Sequence, residues 1–321
     1  MIIDTLTSPI ILFFALGMLA GFARSDLAIP EAMAKGMAIY LMAAIGLKGG
    51  VEVSKSGLTD ALLLAGAAGM ALSFLLPFPA FALLRSAGRL GRTDAAAVAA
   101  HYGSVSLVTF FTANEMLASS GLAAAGFMVA VLALMETPAI ISSLLLARRN
   151  QQPSSIGSAS GKRHLWHEVL LNASVVLLIG AFVIGIVAGE KNFAPVKPVF
   201  DSGYKGILCL FLLDMGLIAS RRLRETRAMT VRLVLLAVVL PLVNGLIGVV
   251  IGTVIGLDPG TAALLGVLTA SASYIAVPAA MRLALPEADP GIYLSMSLGI
   301  TFPFNIVVNI ALIASVARMI G

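Results

Sequence analysis

The sequence predicts an all-α integral membrane protein with ten transmembrane helices, arranged as two inverted five-helix repeats in which helices 4 and 9 are broken. Three observations lead to this fold. The 321-residue chain is 59% hydrophobic and only 12% charged, whereas about a quarter of the residues in a soluble domain are charged. Ten apolar segments are each long enough to cross a bilayer, which takes about 20 residues. Short polar interruptions also recur at matching places in the two halves.

The ten segments, numbered 1 to 10 in chain order, set the predicted spans. They lie near residues 6–23, 30–51, 60–84, 94–117, 121–147, 168–188, 199–219, 230–255, 261–284 and 290–318. Pro30, Pro198 and Pro290 fall at segment starts, where a missing backbone N–H is tolerated. Pro77 and Pro79 fall inside segment 3 and predict a kink there.

A basic, Ser/Gly-rich stretch over residues 148–165 is the evident linker. It divides the chain into a first five-helix repeat, residues 1–147, and a second, residues 166–321. Because five is odd, the second repeat enters the membrane from the opposite face, and the repeat is inverted. Lysine and arginine are distributed 15 to 6 in favour of the side that holds the linker. The positive-inside rule then places the linker in the cytoplasm and both termini outside the cell membrane.

Segments 4 and 9 carry the matching interruptions. Gly103-Ser104-Val105-Ser106 in segment 4 corresponds to Ala270-Ser271-Ala272-Ser273 in segment 9. A backbone break inside hydrocarbon is tolerated only where it faces protein or a watery cavity. If the chain unwinds at these serines, two half-helices begin at mid-membrane, and their free N–H groups and positive dipole ends suit a small anion. Small residues that let helices pack closely are the alternative, but their recurrence in both repeats favours a site.

The predicted anion ligands lie at or just after the two interruptions. They are Gly103, Ser104, Val105, Ser106, Thr109, Ser271, Ala272 and Ser273. Paired interruptions of this kind are typical of secondary transporters, which hold a solute near the middle of the bilayer.

Four other residues are predicted to bind a cation: Glu136, Asp214, Thr301 and Asn305. Ionisable residues inside a membrane are costly and therefore mark candidate functional sites. Thr137 and Pro138 beside Glu136 supply an oxygen and free a carbonyl, while Thr301 and Asn305 hold the matching place in segment 10. Hard oxygen ligands suit sodium. For Asp214, a helix-to-helix hydrogen bond is an equally open interpretation.

The sequence contains no pattern typical of an enzyme or of a nucleic-acid-binding protein. It has no phosphate loop, no Cys/His spacing of a metal site and no Gly-x-Ser-x-Gly elbow. The net charge of +5 comes from short loops rather than from a basic stripe. We expect no cofactor beyond sodium as a coupling ion, and the expected partners are a small inorganic or organic anion and the lipid bilayer.

These residues resemble the sodium-dependent bicarbonate transporter family, the SbtA-like permeases. The resemblance covers nearly the whole chain and depends on a set of short motifs. They are Ile29-Pro30-Glu31-Ala32, Ile45-Gly46-Leu47-x-Gly49-Gly50, Gly103-x-Val105-Ser106-x-x-Thr109, Glu136-Thr137-Pro138-Ala139, Met215-Gly216, and Pro278-x-x-x-Arg282-x-x-x-Pro286-x-Ala288-x-Pro290. The resemblance implies a core and a gate domain, segments 4 and 9 crossing at the site, and a homotrimer. It also implies bicarbonate between Gly103–Ser106 and Ser271–Ser273, with sodium close by.

The chain departs from the cyanobacterial members of that family at several positions. Tyr274 stands where they carry Asp, Leu107-Val108 where they carry Gly-Ser, and Glu136 where they carry Asp. The shorter linker argues against regulation by a P-II-like partner. The leading hypothesis is therefore sodium-driven symport of bicarbonate or a similar small anion. The alternatives are a transporter of a small organic acid with the same fold, and a membrane sensor that binds an anion without moving it.

Overall fold

The computed structural model describes residues 7–57, 59–148, 173–225, 229–274 and 276–321, and all regular structure in these ranges is helical. The predicted linker, apart from Arg148, lies outside the described residues. We number the helices α1 to α14 in chain order. The part of the chain before the linker forms α1 Pro9–Phe22, α2 Glu31–Ser56, α3 Asp60–Leu75, α4 Pro77–Ser86, α5 Arg92–Gly103, α6 Leu107–Ser119, α7 Met128–Leu134 and α8 Pro138–Arg148.

The part of the chain after the linker forms α9 Ala173–Phe193, α10 Tyr204–Glu225, α11 Val231–Val254, α12 Pro259–Ala270, α13 Ala276–Ala284 and α14 Pro290–Ile320. Helix α14 includes two wide π-helical turns, Ser295–Thr301 and Asn305–Asn309. Predicted segments 3, 4, 5 and 9 are each formed by two consecutive helices. In segment 3, Pro77 separates α3 from α4 at the place where the sequence predicts a kink.

Apolar helices of membrane-spanning length dominate the structure. Within the described residues, seven helical stretches are long and apolar enough to cross a bilayer, and α1 and α12 are shorter apolar helices. Their outward faces carry exposed Leu, Ile and Val side chains, for example Leu63 at 62%, Val187 at 80% and Val254 at 76% exposure. Such surfaces suit lipid rather than water. The chain is a multi-pass membrane protein.

Four helices form a group that we call the panel: α1, α2, α9 and α10. Helix α1 packs against α10, and α2 packs against α9. Glycines allow these close approaches, since a Cβ at Gly17 or Gly216 would collide with the backbone of the facing helix. The panel therefore joins the first two helices before the linker to the first two described helices after it.

The remaining helices, α3 to α8 and α11 to α14, form what we call the core bundle. Helix α5 packs against α4 and α8, while α12 packs against α11 and the last part of α14. All of α12 after Pro259 and all of α5 from Ala95 onward are buried. The ends of these two helices, where both interruptions lie, are therefore at the centre of the molecule.

Candidate anion and cation site

The first interruption lies between α5 and α6. Helix α5 ends at Gly103, and Ser104 and Ser106 have extended backbone angles before α6 begins. The Ser106 hydroxyl accepts a hydrogen bond of 3.2 Å from the Thr109 N–H and so caps α6. Gly103 packs on Pro77, and a Cβ at Gly103 would collide with the proline ring. A glycine contact and a serine cap thus fix where α5 stops and α6 starts.

The second interruption, between α12 and α13, has the same plan with weaker capping. Helix α12 ends at Ala270, and Ser271 is extended. The Ser273 hydroxyl accepts a hydrogen bond of 3.4 Å from the Val277 N–H. Pro278 lies in the first turn of α13 and has no N–H. This half-helix therefore offers fewer donors to a ligand than α6 does.

Two hydrogen bonds join the interruptions where they cross. The Ser273 N–H donates to the carbonyl of His101 at 2.9 Å, and the Ser106 N–H donates to the Ser271 hydroxyl at 3.0 Å. Every one of these four residues is buried. The structure thus brings Ser106 into contact with Ser271, and Ser273 into contact with His101 near the end of α5.

The other predicted anion ligands surround this crossing. Val105, Thr109 and Ala272 are all buried. Ser104 is bonded elsewhere, because its hydroxyl donates to the backbone carbonyl of Glu136 at 3.1 Å. The first-turn N–H groups of α6 have no acceptor four residues earlier in a helix. Such buried N–H groups at a helix N-terminus attract a small anion.

Aromatic rings stand beside the crossing on the side that faces the panel. The Tyr274 ring packs edge-on against Phe302 at 5.3 Å between centroids, and Phe302 packs edge-on against Phe14 of α1 at 5.4 Å. The buried Tyr274 hydroxyl faces Ser106 without a hydrogen bond of standard geometry. A bulky aromatic side chain therefore lies beside the crossing at position 274.

Thr301 and Asn305, two of the predicted cation ligands, contact residues at the ends of the interrupted helices. The Thr301 hydroxyl lies 2.6 Å from the hydroxyl of Tyr102, one residue before α5 ends, and 2.6 Å from the carbonyl of Ala237. The Asn305 amide nitrogen donates to the carbonyl of Ala270, the last residue of α12, at 2.9 Å. Both side chains are buried, so segment 10 supplies oxygen atoms beside the crossing.

The two acidic candidates are placed differently. Glu136 touches the first interruption through its backbone carbonyl rather than its carboxylate. Its side chain is buried, and among the described residues no hydrogen bond or ion pair involves the carboxylate. Asp214 is buried on α10 of the panel, and no described hydrogen bond links it to either interruption. Within the described residues, no three His, Cys, Asp or Glu side chains converge on one point.

Sequence reasoning missed two buried polar residues near this site. Glu115 lies on α6 inside predicted segment 4, and it pairs with Lys205 of the panel at 2.6 Å. Asn309 lies on α14 one wide turn after Asn305, and its amide nitrogen donates to the Asn305 side-chain oxygen at 2.8 Å. A search for every ionisable or amide side chain inside the predicted segments finds both residues.

Comparison with models of protein families gives a match that covers the site. The family model described as the Na+-dependent bicarbonate transporter superfamily matches residues 9–318, which is nearly the whole chain and both interruptions. No curated protein matches the sequence.

Proposed function

The chain belongs to the Na+-dependent bicarbonate transporter superfamily, and we propose that it is a secondary active transporter that carries bicarbonate into the cell together with sodium. The observation that carries this proposal is the buried crossing of the two interrupted helices. The Ser106 N–H donates there to the Ser271 hydroxyl, and the Ser273 N–H donates to the His101 carbonyl. A buried break facing its repeat-related counterpart provides a ligand site that is reachable in turn from each side.

We propose ten membrane spans in two inverted repeats, with breaks in segments 4 and 9. Reciprocal packing supports this arrangement. Helix α1 packs on α10 while α2 packs on α9, so each repeat gives its first helix to the second helix of the other. The pairing of α5 with α8 is likewise matched by the pairing of α12 with the end of α14. An inverted repeat requires such exchanged contacts.

The proposed anion site is the crossing itself. Gly103 lets α5 end against α4, and Ser106 and Ser273 cap the half-helices. Bicarbonate would accept hydrogen bonds from the first-turn N–H groups of α6 and from the serine hydroxyls. The remaining predicted ligands, Val105, Thr109, Ala272 and Ser271, are all buried, and Ser104 joins the first interruption to segment 5. Bicarbonate also carries a hydroxyl group, which can donate a hydrogen bond to a backbone carbonyl that the break leaves without a helical partner.

The proposed coupling ion is sodium, bound by oxygen atoms of segments 5 and 10. The Thr301 hydroxyl lies within hydrogen-bond distance of the Tyr102 hydroxyl of α5. The Asn305 amide nitrogen donates to the Ala270 carbonyl of α12, and its side-chain oxygen lies beside this contact. Glu136 supplies a buried carboxylate next to the first interruption. Asp214, on the panel, is a coupling residue only if the panel and the core bundle approach it in another transport state.

Orientation and assembly complete the proposal. We propose that both termini lie outside, that the linker lies in the cytoplasm, and that the protein forms a homotrimer without control by a P-II-like partner. The 15-to-6 distribution of basic residues supports the orientation. The bulky side chains of Leu107 and Tyr274 are the specific reason to keep a small organic acid as the second candidate substrate.

Uptake into proteoliposomes tests the function directly. Labelled bicarbonate should accumulate inside vesicles when sodium is higher outside, and should not accumulate with potassium in its place. Labelled formate and acetate, tested in parallel, distinguish an organic acid transporter. Anion binding to the purified protein without any uptake would instead identify a sensor.

A further inference from the structure

The panel contacts the far end of α6, the half-helix whose first turn forms part of the proposed anion site. The Lys205 ammonium of α10 lies 2.6 Å from the Glu115 carboxylate of α6. One turn earlier on α6, the Phe111 ring packs edge-on against Tyr204 of α10, with 6.4 Å between the ring centroids. Two neighbouring residues of the panel thus contact two residues that lie on the same face of α6.

This ion pair differs from the others in where it lies. Of the ion pairs in which both residues are described, the others lie within the panel or in the link between its helices α9 and α10: Lys35–Glu31, Lys48–Asp201, Lys55–Glu52 and Lys55–Glu190. The pair Lys205–Glu115 instead joins the panel to the core bundle. It is therefore placed where it can control how these two groups of helices sit against each other.

The two partners of this pair differ in exposure. The Lys205 side chain is 64% exposed, whereas the Glu115 side chain is only 10% exposed. A buried carboxylate without a counter-charge is unfavourable inside a membrane protein. Glu115 therefore favours the arrangement of the panel that keeps Lys205 beside it. Tyr204 and Phe111, each 1% exposed, fill the space between α10 and α6 next to the pair.

One group in the same contact opposes it. The Tyr204 hydroxyl is buried and has no hydrogen-bond partner among the described residues, and an unpartnered buried hydroxyl is costly. The ion pair offsets this cost while it is formed. Because a favourable and an unfavourable contact lie side by side, the net free energy that holds the panel against α6 here is small. Such a contact is suited to form and break repeatedly.

The position of the pair relates it to the anion site. Glu115 lies on the same continuous helix that Ser106 caps, about 14 Å from Ser106 along the helix axis. The proposed orientation places the Glu115 end of α6 at the outer side of the membrane. The crossing faces the panel through Tyr274, Phe302 and Phe14. A route from the outer side to the crossing therefore runs between α6 and α10, past the pair.

We propose that Glu115 and Lys205 form an outer latch, which holds the panel against α6 and must break before an anion can reach the crossing from outside. This inference rests on the proposed function and its orientation, and it assigns one step of alternating access to two named side chains. The latch is formed in the structure, so the outer route is closed. Removing the pair should therefore increase the population of a state in which the panel and α6 are further apart.

Distances between spin labels on the two sides of the latch test this assignment. Cysteines introduced at Ser119 of α6 and at Ser202 beside α10, both exposed, carry the labels in the purified full-length protein with Cys209→Ala. Pulsed electron paramagnetic resonance gives the distribution of label distances. Lys205→Met should increase the population of a longer distance about twofold to fivefold, as expected from loss of one partly exposed ion pair.

Three further variants identify the cause of the shift. Glu115→Gln should produce the same shift as Lys205→Met, and the two changes together should shift the population no further, because both remove one interaction. Lys55→Met is the matched control, since it breaks the 3.1 Å pair with Glu190 inside the panel. It should leave the distances unchanged. Lys205 and Lys55 are largely exposed at their charged ends, so neither change disturbs the packed interior.

Unchanged distances in Lys205→Met and Glu115→Gln would overturn the latch. Shifts that add in the combined variant, or an equal shift in Lys55→Met, would also overturn it. Bicarbonate uptake by the unaltered protein is measured in parallel. Absence of uptake together with the expected distance shifts would reject the proposed substrate and keep the latch, because the label distances do not depend on which ion is carried.

Discussion

The two interruptions share a plan but not a chemistry. In segment 4, Ser106 caps a half-helix with a complete set of first-turn N–H groups, and the cap is 3.2 Å long. In segment 9, the cap from Ser273 is 3.4 Å long and Pro278 removes a donor. The helix that packs beside the second interruption has the opposite character. This helix, segment 10, presents the neutral side-chain oxygens of Thr301 and Asn305. The first interruption is therefore better suited to bind an anion, and the neighbourhood of the second is better suited to bind a cation.

The largest expected effect in this comparison comes from Ser106→Ala. This change removes a buried hydroxyl that caps α6 and lies at the crossing. Loss of a hydrogen bond to a charged ligand costs about 1.5–3 kcal/mol, which corresponds to roughly a tenfold to hundredfold rise in the KM for bicarbonate. Uptake of labelled bicarbonate into proteoliposomes at saturating sodium measures this KM.

Ser119→Ala is the matched control, because Ser119 lies at the exposed end of the same helix and bonds only to the Met116 carbonyl. It should leave the KM unchanged. A Ser106→Ala protein that folds and transports with a normal KM would mean that the serines at the crossing are packing residues.

Two variants compare how tightly the ends of α5 and α12 are packed. Gly103→Ala gives α5 the residue that ends α12, and Ala270→Gly gives α12 the residue that ends α5. Alanine at position 103 overpacks against Pro77, and overpacking costs about 1–3 kcal/mol of folding free energy. Glycine at position 270 fits without collision and costs about 0.5–1 kcal/mol as a less favourable helix residue. Thermal unfolding of both variants in one detergent measures the difference. Equal losses of stability would mean that the two interruptions are packed equally tightly.

Ser273→Ala should have a smaller effect than Ser106→Ala. Its hydroxyl makes the longer cap, and Pro278 leaves the half-helix that it caps with fewer donors. We expect this change to remove chiefly the neutral cap to the Val277 N–H, which contributes about 0.5–1.5 kcal/mol, and not a main contact to the anion, so the KM for bicarbonate should rise about twofold to tenfold. Side-by-side uptake assays with Ser106→Ala settle the order. A larger effect at Ser273 would assign the anion chiefly to α13.

Most of the fold can be predicted from the sequence, because apolar length and polar interruptions act locally. The end of α5 at Gly103 and the start of α14 at Pro290 both agree with the sequence pattern. The pairings near the site depend on tertiary contacts and cannot be predicted in the same way. Thr301 is predicted as a cation ligand, but its hydroxyl is engaged by Ala237, whose carbonyl is free only because Pro241 follows four residues later.

Asn309 and Glu115 illustrate the same limit. Asn309 follows Asn305 by four residues, and only the π-helical turn and the neighbouring Pro241 give the pair its geometry. Glu115 has its partner, Lys205, on the panel, in the other repeat. In the sequence, each of these residues is a single polar side chain in an apolar segment. The partner that determines its role lies on a helix that is distant in the chain.

The smallest expected effect comes from Glu136→Gln, which tests how far the two halves divide the binding of sodium. Glutamine keeps the size and removes the charge of a buried carboxylate without a described partner. If sodium is bound mainly by the neutral oxygens of segment 10, the charge at Glu136 acts only at a distance. Half-saturating sodium should then rise about twofold to fivefold, less than 1 kcal/mol, while the rate at saturating sodium stays near normal. Sodium activation curves of bicarbonate uptake measure this shift. An increase of about tenfold or more would place sodium at segment 5 and make the carboxylate its principal ligand, while an unchanged curve would leave Glu136 a structural residue.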